Sequence, residues 1–272
     1  MALLHVNFFS EALGMCVACD VILPQRATKQ IGMAAAARGD KHPTLWLLHG
    51  ASDNHTIWQR RTSIERYAAP LGLAVVMPNA HLSSYADMAH GGKYYTYISQ
   101  ELPEKMRAMF PLSDKREDNF IAGLSMGGAG CMKIGLNNPQ NYAAIGCLSA
   151  GAVNRDGIAM TPERRARMIM TYGTEDISIF TRKGTPEDVF GAAQRILDEN
   201  LPRPRIFHSV GTEDFVLPSA RETRDFFQGL AGNPFDYTYE EHPGAHTWEY
   251  WDEHIQDFLR FIGLAPVEGI RN

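Results

Sequence analysis

Ser125 lies in the run Gly123-Leu124-Ser125-Met126-Gly127, the stretch of this chain best suited to chemistry. A serine hydroxyl is a weak nucleophile at neutral pH and must be presented clear of its neighbours. The pattern Gly-x-Ser-x-Gly does this where a strand turns sharply into a helix. Phe120-Ile121-Ala122 leads in as a strand would, and residues 126–138 lead out, rich in the small residues of a tightly packed helix. Glycines on both sides make room for the turn. The hydroxyl would then stand at the carboxyl edge of a sheet, near the positive end of a helix.

Such a serine needs an imidazole to take its proton and hand it to a leaving group. The imidazole needs a carboxylate to fix its tautomer and steady its charge. Both types follow in the chain. A strand-like run, 205–210, precedes Gly211-Thr212-Glu213-Asp214, and a second, 235–241, ends in His242-Pro243-Gly244-Ala245-His246. Ser, then Asp, then His, each just past a strand, is the α/β-hydrolase order, and it nominates Ser125, Asp214 and His246 as catalytic residues. A decoy complicates the acid. Gly173-Thr174-Glu175-Asp176 repeats the same four letters, and it too follows a strand-like run. Strand order decides for Asp214, because 205–210 is the immediate predecessor of the strand that delivers His246.

Charge building on a carbonyl oxygen calls for two aimed backbone N–H groups. One is expected from Met126, next after the nucleophile. The other is expected from Ala51, in the small-residue turn of Leu47-Leu48-His49-Gly50-Ala51-Ser52. His49 reads as a shaper of that turn rather than a base or metal ligand.

The elements that must position these residues can be read coarsely. Residues 5–13 and 16–23 look like two antiparallel strands meeting at Gly14, followed by a polar, Ala-rich link over 24–42. Strands are expected at 44–49, 73–77 and 143–149, and helices at 57–71 and 94–110. Strands alternating with helices predict a mostly parallel central sheet with helices on both faces. The whole chain, 1–272, reads as one domain. It has an insertion at 151–204 that carries a helix near 186–200; the insertion either caps the site or packs at the edge. Its charge, including Arg155, Arg164, Arg165 and Arg167, is unlike the apolar lid of a lipase.

Composition fits an ordinary globular protein: 272 residues, 44% hydrophobic, 21% charged, net charge −5. The acidic balance argues against nucleic acid and anionic membranes as partners. The first residues lack the pattern of a secretory signal, which makes the cytoplasm the expected location. Cys16-Val17-Ala18-Cys19 has redox or metal spacing, but residues three apart on a strand face opposite ways; with Cys131 and Cys147 it reads as packing. The loop 79–92 leaves a strand on the catalytic side, and its His81 and His90 lack the carboxylate spacing of a metal site. No cofactor and no metal are expected.

The set His49-Gly50, Trp58, Val76-Met77-Pro78-Asn79, Tyr94-Tyr95, Gly123 to Gly128, Gly211-Thr212-Glu213-Asp214-Phe215 and Gly244-Ala245-His246-Thr247-Trp248-Glu249 resembles the tributyrin esterase group. That group belongs to the wider esterase D family, with S-formylglutathione hydrolases and acetyl or feruloyl esterases; the antigen 85 mycolyltransferases are more distant. The resemblance covers about 5–261 and is weakest over 152–204. It implies a serine carboxylesterase acting on small-molecule esters with short acyl chains, without a cofactor. It carries Ser125, Asp214 and His246 as the triad and Ala51 and Met126 as oxyanion donors. Members of the group often form homo-oligomers. Trp58, Tyr94, Tyr95 and Trp248 are expected near the serine as candidate substrate-pocket walls, with plain core packing the alternative for Trp248. Two rivals stand beside this reading: an S-formylglutathione hydrolase-like thioesterase, and a non-catalytic binding protein on a hydrolase fold.

Overall fold

The structure, a computed structural model, describes residues 1–26, 37–152 and 160–267. Arg155 and most of the Ala-rich link lie outside them. Eight strands form one sheet: β1 (Ala2–Ser10), β2 (Met15–Leu23), β3 (Thr44–Leu48), β4 (Ala74–Pro78), β5 (Asn119–Leu124), β6 (Ala144–Leu148), β7 (Arg205–Gly211) and β8 (Thr238–His242). Their order is β1-β2-β4-β3-β5-β6-β7-β8. The first two strands form an antiparallel hairpin that joins β4 antiparallel, and all pairings from β4 to β8 are parallel.

The helices are α1 (Ile57–Arg61), α2 (Ile64–Ala68), α3 (Tyr94–Thr96), α4 (Leu102–Met109), α5 (Met126–Asn137), α6 (Pro162–Tyr172), α7 (Val189–Asp198), α8 (Leu217–Gln228) and α9 (Trp248–Phe261). Every residue of β3, β4, β5 and β6 is buried, so both faces of the sheet are covered. Neighbours along a strand then serve opposite layers. Trp46, Ile121 and Ile145 pack with Cys131 and Ile134 of α5 and Ile196 of α7. Leu45, Phe120 and Ala144 pack with Trp58, Ile64 and the α9 residues Ile255 and Phe258. This is an α/β-hydrolase sheet.

The strand order reverses between β3 and β5, which lie side by side while their crossovers run to opposite sides. In open parallel sheets ligands bind outside the carboxyl ends at such a point. Here those ends lead into His49-Gly50-Ala51 and into Ser125.

Three expected elements came out differently. The helix over 57–71 is broken into α1, α2 and a 3-10 turn, Ala69–Leu71, because Thr62 is extended (φ −132°, ψ 171°) and Pro70 tightens the end. The helix over 94–110 contains a π-turn, Tyr97–Glu101, just before Pro103. Proline has no N–H to give and its ring clashes with the carbonyl four residues back, so the ladder widens there. The strand-like run before Gly173 is helix α6, started by the Thr161 side chain and Pro162 and stopped by left-handed Gly173 (φ 70°). Cys16, read as packing, is exposed, whereas Cys19, Cys131 and Cys147 are buried.

Candidate active site

Ser125 has φ 53° and ψ −119°, a conformation that costs an L-residue of order 1–3 kcal/mol. Packing enforces it. A Cβ on Gly127 would lie 2.6 Å from the carbonyl oxygens of Leu48 and His49, so only glycine lets α5 start this close to β3. The hydroxyl so exposed lies 2.9 Å from Nε2 of His246. On the other side of that ring, Nδ1 is 2.9 Å from both carboxylate oxygens of Asp214. The structure therefore brings together all three residues nominated from the sequence.

The acid and base loops are stitched to each other. Thr212 N–H donates to the His242 carbonyl at 2.8 Å and Glu213 N–H to the Gly244 carbonyl at 2.9 Å. In return Gly244 N–H donates to the Glu213 carboxylate at 2.9 Å. Gly211 permits this approach, since a Cβ there would meet the Gly244 oxygen at 2.1 Å. Burial pushes the Asp214 carboxyl up. The hydrogen bonds from His246 and from the Val216 amide, with the charge of His246, outweigh this and hold it below the usual carboxylate range.

Asp176 has a different setting. It is exposed and accepts from Ser178 N–H at 2.9 Å, capping a 3-10 turn, Ile177–Thr181. Its neighbour Glu175 pairs with Arg165 at 2.8 Å.

His49 is buried and neutral. Its Nδ1 bonds the Gly50 carbonyl at 2.7 Å, and Nε2 accepts from Ala80 N–H at 2.9 Å. Burial lowers its pKa to about 4. A trans peptide points its C=O and N–H in opposite directions. Holding the Gly50 oxygen thus turns the Ala51 N–H away from the imidazole. Ala51 and Met126 border the same cavity as Ser125, and neither N–H donates to another residue among those described.

That cavity encloses about 480 Å³. Met126 and Ala129 of α5, with Ala150 and Ala152, make it apolar near the serine. One face of α6, Arg164, Met168 and Thr171 at helical spacing, forms the opposite wall. Lys133 and Glu187 also line it, joined by an ion pair of 2.6 Å with side chains 6% and 10% exposed. Burial works against the Lys133 ammonium, but the Glu187 charge outweighs it and raises its pKa. Phe215, 62% exposed, stands at the mouth with its ring 4.5 Å from that of His246.

The four expected pocket aromatics are not among the cavity's walls. Trp58 is buried, with its indole N–H on the Leu48 carbonyl. It meets Trp248 edge-on; Trp248 meets Trp251, and Trp251 meets His246 at 4.9 Å. This column packs against His246 and is not part of the cavity lining. The Tyr94 hydroxyl bonds His81. The Tyr95 hydroxyl accepts from Asn138, about 20 Å from Ser125 along α5. Proximity in sequence to a motif did not say which side of the sheet edge these rings would take. In the sequence Phe215 reads only as part of the family pattern, without a place at the site, and Trp251, Lys133 and Glu187 go unrecognised. Phe215 directly follows the acid, a signal that could have found it; the others depend on tertiary packing alone.

Among the described residues, His242, His254 and Asp257 bring potential metal-ligating atoms within 4.8 Å of one another. The two imidazoles stack nearly parallel (12°) with centroids 4.4 Å apart, so their in-plane lone pairs cannot converge on one ion. No described helix is long and apolar enough to cross a membrane.

Sheet order and the turn at Ser125 define a hydrolase of the α/β class. The chain belongs to the Esterase family, whose pattern matches residues 10–262. An acetyl esterase of Caldicellulosiruptor saccharolyticus is 29% identical over 269 residues, spanning 96% of this chain and 98% of that one. Among solved structures, the fluorophosphonate-binding serine hydrolase F of Staphylococcus aureus, substrate bound, superposes with a TM-score of 0.80 at 32% identity, covering 96% of this chain and 98% of that one. An S-formylglutathione hydrolase from the same organism gives 0.76 at 32% identity, with the same coverage. The protein is a carboxylic ester hydrolase.

Proposed function

We propose that this protein is a serine carboxylesterase that cleaves short-chain acyl esters through an acyl-enzyme. The carrying observation is the 2.9 Å relay from Ser125 through His246 to Asp214 beside a cavity with an apolar entrance. Ser125 Oγ attacks the ester carbon while its proton passes to His246 Nε2. The oxyanion is received by the N–H groups of Ala51 and Met126. Collapse expels the alcohol, which takes the proton from His246, and water repeats the sequence to free the acid and restore the serine.

His246 must reach the leaving oxygen, yet it is not among the cavity walls. The cavity therefore takes the acyl chain. Its floor favours a short one. A long alkyl chain would reach Lys133 and Glu187 and strip water from an ion pair without replacing it. A panel of p-nitrophenyl esters from two to twelve carbons tests this. Rates should peak at about two to four carbons and fall steeply by eight; faster turnover of twelve-carbon than four-carbon esters would contradict it.

A thioesterase reading is supported by the S-formylglutathione hydrolase of Staphylococcus aureus, 32% identical over 96% of this chain. Comparing S-formylglutathione with p-nitrophenyl acetate separates the two.

A further inference from the structure

Phe215 is the most exposed of the large apolar side chains among the described residues, at 62%, and it does not stand alone. Phe215, Val216, Leu217 and Pro218 are all exposed or half-buried, an apolar run that begins at the mouth of the cavity. A single exposed apolar residue needs no explanation, but Phe215 lies against the base. Its ring centroid is 4.5 Å from that of His246 at a tilt of 47°, while Trp251 meets the imidazole at right angles from 4.9 Å. The acid fixes this placement. The Asp214 carboxylate that holds His246 also accepts from Val216 N–H at 3.0 Å, and the Asp214 carbonyl accepts from Leu217 N–H at 3.1 Å. The backbone that carries Phe215 is thus tied twice to the residue that orients the base.

We propose that Phe215 is the platform for the alcohol portion of the ester and selects alcohols that bear an aromatic ring. The inference rests on the esterase reading and names the alcohol class within it. As the bond between the acyl carbon and the alkoxy oxygen breaks, that oxygen takes the proton from His246 Nε2. It must therefore come within hydrogen-bond reach of the imidazole. The acyl chain fills the cavity, so the alcohol runs from the imidazole toward the mouth, where the open face of Phe215 stands. A flat apolar ring can stack on that face and take both surfaces out of water, and paired rings attract beyond the area they bury. A small polar alcohol gains nothing there, because the run 215–218 presents four apolar side chains.

The experiment compares kcat/KM, by titration of released acid, for benzyl acetate against 2-methoxyethyl acetate. Their alcohols are of similar acidity and both give the same acetyl-enzyme, so the ratio reads the alcohol alone. The wild type, Phe215→Ala and Phe215→Leu are each measured. Loosening of His246 in a variant would slow both esters alike and cancel in the ratio. The wild type should favour benzyl acetate by about tenfold or more. In Phe215→Ala that preference should fall to about threefold or less. Phe215→Leu, which keeps apolar cover over His246 but offers no flat face, should at least halve it. The ratio of p-nitrophenyl butyrate to p-nitrophenyl acetate reads the acyl side and should stay within about twofold of wild type in both variants. A wild-type preference within twofold of one overturns the proposal, as does a preference that Phe215→Ala leaves unchanged. So does a larger shift in the acyl ratio, which would make Phe215 a wall of the acyl site. Those results leave the esterase reading standing. Failure of the wild type on all four esters removes that reading, and the platform with it.

Discussion

Gly211 to Asp214 and Gly173 to Asp176 are the same four residues in the same order, and the protein uses them differently. The first set follows β7 inside the sheet; its glycine packs on the Gly244 carbonyl and its glutamate accepts from the Gly244 amide. The second follows α6; its glycine is a left-handed helix stop, its glutamate pairs with Arg165 in solvent and its aspartate caps a short turn. What separates them is the element that precedes the loop. A buried parallel strand brings its loop to the carboxyl edge, beside the serine. A peripheral helix brings its loop to the surface.

Replacing the serine sets the scale for that contrast. Ser125→Ala should lower turnover of p-nitrophenyl acetate by about 10⁴-fold or more, with an unchanged thermal midpoint. Activity within tenfold of wild type in a folded variant would end the serine mechanism and make the contrast between the aspartates irrelevant. Next in size, Asp214→Asn should cost about 10⁴ in kcat, as loss of an orienting carboxylate does in a serine protease. Asp176→Asn should cost less than tenfold. Reversed effects would mean that the insertion, and not β7, supplies the acid.

The glutamates sharpen the comparison one step further from the chemistry. Glu213→Ala removes the bond to the Gly244 amide and should lower kcat about tenfold by loosening His246. Glu175→Ala breaks an exposed pair, worth at most about 1 kcal/mol, and should leave kcat within twofold. Equal effects on kcat would show that the stitching between the acid and base loops does not orient the ring.

A control outside both loops is His49. Its folded pKa of about 4 lies below the 6.5 of a free histidine. The unfolded chain therefore takes up a proton that the folded one refuses, and stability falls as pH drops from 6.5 towards 4. The full effect is about 3 kcal/mol. Urea titrations across that window should show this slope, and His49→Asn should flatten it.

The sheet was largely legible in the sequence, because strands buried on both faces read as continuous apolar runs and the nucleophile turn has its own glycine signature. Ser125, Asp214 and His246 were nominated for the same reason, each being tied to the end of a strand. The breaks at Thr62 and before Pro103 were harder, since local apolar spacing continues through both. The cavity wall was not legible. Glu187 and the Tyr172 ring meet Lys133 only because α6 and the approach to α7 fold back over α5, and no periodicity along the chain records that meeting. Trp58 and Trp248 lie near motifs but pack on the ring column behind His246, the packing alternative and not the pocket wall.

The stitching between the acid and base loops bears also on assembly. Asp214 and His246 are 32 residues apart, while Ser125 and His246 are 121 apart. Closing the longer loop costs about 1 kcal/mol more entropy in a flexible chain, and here it requires β6 to pair with β7 as well. The carboxylate and imidazole can thus meet within a carboxyl-terminal unit that forms on local contacts, whereas the nucleophile joins them only when the middle of the sheet closes. Regained hydrolysis during refolding then times the closing of that seam, and it should trail the return of structure around β7 and β8.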